Sequence, residues 1–131
     1  MKTLIVDDEF ENRLLLQEIL QLHGPCHLAA NGKEAVVATR SALVAGAPYD
    51  LICMDITMPE MSGLEALRAI RLVEDSTVVT GAHRTKIIMV TALADRDDVI
   101  TACELHCDSY LVKPVRIATL LDSLRAMKLI P

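Results

Sequence analysis

Two hydrophobic rhythms alternate along this chain. Unbroken apolar runs of strand length stand at Leu4-Ile5-Val6, Leu51-Ile52-Cys53-Met54 and Ile87-Ile88-Met89-Val90. Between and after them, apolar residues recur every three or four positions, which is the helical period. In order, the pattern predicts a strand over Lys2–Val6 and a helix over Glu11–Leu22, with Leu14, Leu15, Ile19 and Leu22 inward. Gly24-Pro25 stops that helix. A weaker strand follows at Cys26–Ala30, then a turn at Asn31-Gly32. An Ala- and Val-rich helix runs from Lys33 to about Val44, and Gly46 and Pro48 break it. Leu51–Met54 is a third strand ending on Asp55. A third helix runs from Gly63 to about Val73 on Leu64, Leu67, Ile70 and Leu72, and the polar stretch 74–84 reads as a surface loop. Lys86–Val90 is a fourth strand ending on Thr91, and Asp95 to about Leu105 a fourth helix. Ser109–Val112 is a fifth strand ending on Lys113-Pro114. Ile117, Leu120, Leu121, Leu124 and Met127 mark a fifth helix.

Strand and helix thus alternate five times, which implies βαβ units and a parallel sheet with helices on both faces. A strand buried on both faces has to be apolar at every position, as the three runs are. No internal repeat or linker interrupts the order. At 131 residues the chain has the size of one domain, so residues 1–131 are expected to form a single unit with no output domain.

Composition narrows the function. The net charge of −5, without a Lys/Arg-rich run, argues against a nucleic-acid or membrane-surface binder. No apolar segment approaches the roughly 18 residues that span a bilayer. The first apolar run is stopped by acids, unlike a signal peptide, so a cytoplasmic location is expected. Cys26, Cys53, Cys103 and Cys107 form no disulfide framework and read as reduced thiols.

In a parallel sheet every C-terminal strand end lies on one edge, where ligands of open α/β sheets bind. Four of the five predicted strands end there on functional side chains: Asp7-Asp8, Asp55, Thr91 and Lys113. One acid at a strand end is ordinarily a solvated loop start, but four such ends in order are not. If the first strand lies beside the third, Asp7, Asp8 and Asp55 converge. Converging carboxylates must share protons or hold a cation, and an all-oxygen site suits a hard ion such as Mg2+. A carboxylate, an ammonium and a hydroxyl beside such an ion suit phosphoryl transfer, with Asp55 as nucleophile.

These residues resemble a response-regulator receiver domain of two-component signalling. The matching positions are Val6-Asp7-Asp8, Asp55 with Met58-Pro59 and Gly63, Thr91-Ala92, and Lys113-Pro114; together they cover nearly the whole chain. The resemblance implies a flavodoxin-like (βα)5 three-layer sandwich with strand order 2-1-3-4-5. It implies that Asp55 accepts a phosphoryl group from a phosphohistidine, on a sensor histidine kinase or a histidine phosphotransfer protein. Self-catalysed phosphorylation and dephosphorylation make such a protein a phosphoacceptor rather than an enzyme. Asp7, Asp8, Asp55 and the backbone carbonyl of Thr57 would hold Mg2+, with Mn2+ as a substitute. Lys113 would contact the phosphoryl group. Thr91 and Tyr110 would switch, Pro59 and Gly63 would shape the acceptor loop, and the bond before Pro114 would be cis. Output would run through the face of helix 4, strand 5 and helix 5, to an unidentified partner or to a second copy as a homodimer. Read from the residues, Tyr110 is a tyrosine in a buried strand and needs a partner for its hydroxyl.

There are departures. Helix 4 of such domains usually ends in Gly, where this chain has His106; a side chain in that left-handed cap costs about 1 kcal/mol. Leu93, two after Thr91, would hinder the hydrolytic water and lengthen the phosphoryl lifetime. Cys103, His106 and Cys107 lack the further ligands that a zinc site needs. Three alternatives stay open. The chain could be the receiver segment of a hybrid histidine kinase. It could be a receiver that works without phosphorylation. It could be a haloacid-dehalogenase-like phosphatase, although Thr57 stands where that class has a second Asp.

Overall fold

Three apolar runs form the middle of the sheet because nothing in them needs water. In the computed structural model, which describes residues 1–76, 84–92 and 96–131, these are β1 (Thr3–Val6), β3 (Leu51–Asp55) and β4 (Lys86–Thr91). Nearly every residue in them is buried. The edge strands are β2 (Cys26–Ala29) and β5 (Ser109–Val112), and both are only partly buried. All pairings are parallel and the order is β2-β1-β3-β4-β5, as the resemblance implied. The helices are α1 (Phe10–Leu20), α2 (Gly32–Val44), α3 (Gly63–Ser76), α4 (Arg96–Glu104) and α5 (Ile117–Ala126).

The sheet divides two cores. Leu4, Val6, Ile52, Met54, Ile87 and Met89 face α2, α3 and the Ala102 side of α4. Ile5, Leu51, Cys53, Ile88 and Val90 face α1 and α5, through Leu16, Ile19, Leu20, Leu120 and Leu124. Alternate residues of one strand enter opposite cores, as the two-residue strand period requires. The result is the expected three-layer sandwich.

Helix phases were less legible. In α1 the buried residues are Leu16, Ile19 and Leu20, whereas Leu14 and Leu15 are exposed and Leu22 lies beyond the helix in a 3-10 turn, 79% exposed. The run Leu14-Leu15-Leu16 is apolar around more than half the helix, so spacing alone does not select the buried stripe. Asn31 is the N-cap of α2 rather than part of a free turn. Its side-chain oxygen accepts from the Glu34 amide at 2.9 Å, and Glu34 reaches back to the Ala30 amide.

The largest departure lies in α3. It runs to Ser76, three residues past the expected end, and buries Arg71 and Glu74 while Leu72 is exposed. Arg71 uses all five of its N–H donors. Nη1 donates to Glu74 Oε1 (2.6 Å) and the Thr85 carbonyl (2.8 Å); Nη2 donates to Asp108 Oδ2 (3.1 Å) and the His106 carbonyl (2.8 Å); Nε also reaches His106 O (3.1 Å). Glu74 in turn accepts from the Thr85 amide, and Asp108 from the Ile87 amide. One guanidinium therefore joins α3, the start of β4 and the α4–β5 turn. Of the surface loop expected over 74–84, residues 74–76 belong to α3 instead; positions 77–83, Leu93 and the expected first residue of α4, Asp95, lie outside the described residues.

His106 takes φ 67°, the left-handed cap that the resemblance placed there. Its amide bonds to Cys103 O (3.1 Å), and the next amide, Cys107, to Ala102 O (3.0 Å), which together make a Schellman motif. Histidine is among the residues that visit this region most readily, but it still pays for its Cβ.

Two outcomes follow in denaturant unfolding. Arg71→Ala loses about 3–5 kcal/mol, because it strips a buried charge network of its donor; Arg71→Lys recovers only part, since an ammonium with three donors cannot make the five bonds of the guanidinium. His106→Gly gains about 0.5–1 kcal/mol by removing the Cβ from a left-handed residue.

Candidate functional site

Register places the acids. Val6 pairs with Met54 in the parallel β1–β3 ladder, so Asp7, one residue on, stands beside Asp55. By strand alternation Asp7 and Asp55 lie on the α1/α5 side with Ile5 and Cys53. Lys113 follows Leu111 with the same parity and shares that side. Its Nζ lies 3.1 Å from Asp7 Oδ2 and 3.3 Å from Asp55 Oδ2, so one ammonium bridges three strand tips. The other carboxylate oxygens take backbone donors: Glu9 N to Asp7 Oδ1 (2.9 Å) and Thr57 N to Asp55 Oδ1 (3.3 Å). Asp7 and Asp55 are buried and Asp8 is exposed.

Electrostatics leave this cluster short of positive charge. Burial pushes Asp55 above its ordinary carboxylate range; Lys113 pulls it back, and Asp7 pushes it further up. Burial works against the Lys113 ammonium, yet its bonds and attraction to Asp7 and Asp55 outweigh that and raise its pKa. Carboxylate oxygens of Asp7, Asp8 and Asp55 all lie within 4.8 Å of one another, a donor set that fits a hard divalent cation.

The remaining site residues fall around this centre. Thr91 ends β4, is buried, and bonds through its carbonyl to the Lys113 amide at 2.7 Å. Tyr110 pairs with Met89 and Val112 with Thr91, so Tyr110 has the parity of Thr91 rather than of Lys113. The expectation that Tyr110 is buried is corrected: it is 43% exposed. The cause is its place on β5, an edge strand with only one neighbour. The Lys113–Pro114 bond is cis.

The loop after Asp55 is tightly built. Thr57 and Pro59 are exposed, and the Met61 amide bonds to Pro59 O at 2.8 Å around Glu60, whose φ is 67°. That two-residue bond with a positive φ is a γ-turn, a rare and strained form. Gly63 N bonds to Ile56 O (2.7 Å), and a Cβ at Gly63 would stand 2.0 Å from the Asp55 carbonyl oxygen. Gly63 is needed because α3 starts against the backbone of Asp55, a reason that spacing alone did not supply.

Arg13 went unnoticed in the sequence, where it reads as a solvated helix residue. Its guanidinium donates to the Asp7 carbonyl at 2.6 Å and ties α1 to the end of β1. Beside the acids opens a cleft of about 410 Å3 between α1 and the β5–α5 junction. Asp7 and Lys113 line it together with Asn12, Leu15 and Val115.

Comparisons agree with this architecture. The family model described as the response regulator receiver domain matches residues 3–125. The sensory/regulatory protein RpfC of Xanthomonas campestris pv. campestris is 34% identical over 125 residues, which is 95% of this chain but only 16% of that protein. The receiver domain of the histidine kinase CKI1 from Arabidopsis thaliana, solved with Mg2+ and BeF3−, superposes with a TM-score of 0.85 at 30% identity, covering 97% of this chain and 89% of that one. The chemotaxis protein CheY4 of Vibrio cholerae gives 0.77 at 29% identity, covering 95% and 96%.

Gly63→Ala is expected to lose about 1–3 kcal/mol of stability, the usual range for forced overpacking. It should also move the Asp55 backbone resonances in an amide NMR spectrum; an unshifted Asp55 would show that the close approach is unimportant.

Proposed function

This chain belongs to the response regulator receiver domain family, and on that footing we propose that it is a Mg2+-dependent phosphorylation switch with Asp55 as the acceptor. The observation that carries the reading is the Lys113 ammonium shared between Asp7 and Asp55. Two buried carboxylates and one cation at the tips of three strands form a site built for a cation and a phosphoryl group. Asp7, Asp8, Asp55 and the Thr57 carbonyl would hold Mg2+, or Mn2+ in its place. When bound, the ion supplies positive charge against the phosphoryl oxygens.

An Asp55 carboxylate oxygen attacks the phosphorus of a phosphohistidine. The P–O bond forms as the P–N bond breaks, and the departing imidazole nitrogen keeps the bonding pair and takes a proton. Lys113 stands beside the acceptor oxygen and holds charge on the transferred group. The donor is a sensor histidine kinase or a histidine phosphotransfer protein, and the cleft along α1, which Asp7 and Lys113 line, opens beside the acceptor site. Thr91 then hydrogen-bonds to the phosphoryl group and moves inward, and Tyr110 follows. Their shared parity on the sheet supports this pairing. The equilibrium shift is read on the face of α4, β5 and α5, where Ile100, Tyr110, Val112 and Ile117 are exposed. An output protein or a second copy of the chain would dock there.

The residues of this chemistry lie between Asp7 and Pro114, so the reading holds for a free-standing receiver of residues 1–131 and for a segment of a hybrid kinase alike. Among the described residues no helix is long and apolar enough to cross a membrane, and we place the chain in the cytoplasm without a nucleic-acid partner.

Intact-mass analysis after incubation with acetyl phosphate and Mg2+ tests the proposal. Wild type should gain one phosphoryl group. Asp55→Asn should gain none, EDTA should abolish uptake, and Lys113→Ala should slow it by about 100-fold. Equal uptake by Asp55→Asn would overturn the assignment, and sustained hydrolysis of phosphate monoesters would favour a phosphatase.

A further inference from the structure

The end of α4 carries chemistry that the acceptor site does not use. Cys103 lies in the last turn of α4, and Cys107 comes just after the left-handed residue His106 that follows the helix. The Schellman motif at His106 turns the chain back toward the helix end. By returning the Cys107 amide to Ala102 O at 3.0 Å, it folds Cys107 back over the last turn. Cys103 is exposed, and Cys107 is half-buried against the α3/α4 core. Cys103 is among the groups that push the Cys107 pKa up. The other two cysteines differ: Cys53 is sealed inside β3, and Cys26 is half-buried with its thiol 3.8 Å from Gly24 O.

We propose that Cys103 and Cys107 form a redox-responsive dithiol that closes to an intramolecular disulfide by exchange with a small-molecule disulfide. The exposed Cys103 reacts first. Its thiol gives a proton to solvent, and the thiolate attacks one sulfur of the oxidant RSSR. The S–S bond of the oxidant breaks, RS− leaves with the electron pair, and a Cys103–SR mixed disulfide remains. Cys107 then loses its proton and attacks Cys103 Sγ, expelling the second RS−. The protein loses two protons and two electrons, and RSSR is reduced to two thiols.

Exposure sets this order, because only Cys103 is open to a bulky oxidant. Cys107 suits the resolving role. Burial, with the neighbouring Cys103 thiol adding to it, raises its pKa to about 11, so it stays protonated and inert until a mixed disulfide forms beside it. A disulfide needs Cβ atoms about 3.5–4.5 Å apart, and Cys107 lies past the end of the regular helix, where the chain can adjust to meet that distance. The adjustment falls at the left-handed joint, outside the regular helix. The bond would tie the last turn of α4 to the residue before Asp108, whose amide and carboxylate anchor the start of β5 to Ile87. Oxidation would thus act on the connection between α4 and β5.

The test is to incubate the full chain with oxidised glutathione, quench it in acid, and map it by mass spectrometry without reduction. Wild type should become two hydrogens lighter, give a linked Cys103–Cys107 peptide, and return to the dithiol with dithiothreitol. Cys107→Ser should stop at the glutathione adduct on Cys103. Cys103→Ser, a change at an exposed position, should form no internal bond. Phenylarsine oxide, which bridges paired thiols, should add once to wild type and lose that bridge in Cys103→Ser. A stable Cys103 adduct in wild type, interchain dimers in place of the internal bond, or no reaction at all would overturn the proposal.

Discussion

The parallel pairing of β1 with β3 is the constraint on which the functional edge depends. With Val6 opposite Met54, the chain has no choice but to set Asp7 beside Asp55. Two buried carboxylates at that spacing repel, and the sheet answers with a third strand tip: Lys113, brought across from β5, takes one oxygen of each acid. Backbone amides take the other two. Charge compensation is still incomplete, because burial and Asp7 together hold Asp55 above its ordinary range against the pull of Lys113. That residual deficit is why the site suits an added cation.

The opposite edge solves a different problem with similar means. Arg71 brings a guanidinium into the protein interior, where an unpaired charge would cost several kcal/mol. It is tolerable because all five donors are matched, by two carboxylates and two backbone carbonyls. Two of those bonds fall on the carbonyl of His106, the left-handed residue that ends α4. The strained cap and the buried ion pair are therefore one device, which fixes how α4 hands the chain to β5. The dithiol proposed at Cys103 and Cys107 sits on the same joint.

Glycine and histidine at the two helix junctions show how local chemistry follows tertiary closeness. Gly63 could be recognised as part of a motif, but its necessity comes from the Asp55 carbonyl oxygen packed against its Cα. His106 could be identified as a departure from glycine, and it adopts the glycine-like conformation all the same. In each case the residue type signals a special position, and only the neighbouring backbone says why it is special.

What the sequence by itself determined is the order of elements, the parallel sheet and the chemistry at its edge. Continuous apolar runs admit few structures, and functional side chains at four strand ends stay at those ends in any parallel arrangement. Strand order came from resemblance to a family, because pairing is a long-range choice that no local pattern encodes. The tertiary structure alone decided which face of α1 is buried, since Leu14, Leu15 and Leu16 offer nearly equal stripes. It also decided that Arg71 and Glu74 go inside while Leu72 stays out, because their partners, Thr85, His106 and Asp108, lie far along the chain. Tyr110 is exposed for the same kind of reason: its strand has a neighbour on one side only, and burial is a property of that neighbourhood rather than of the residue.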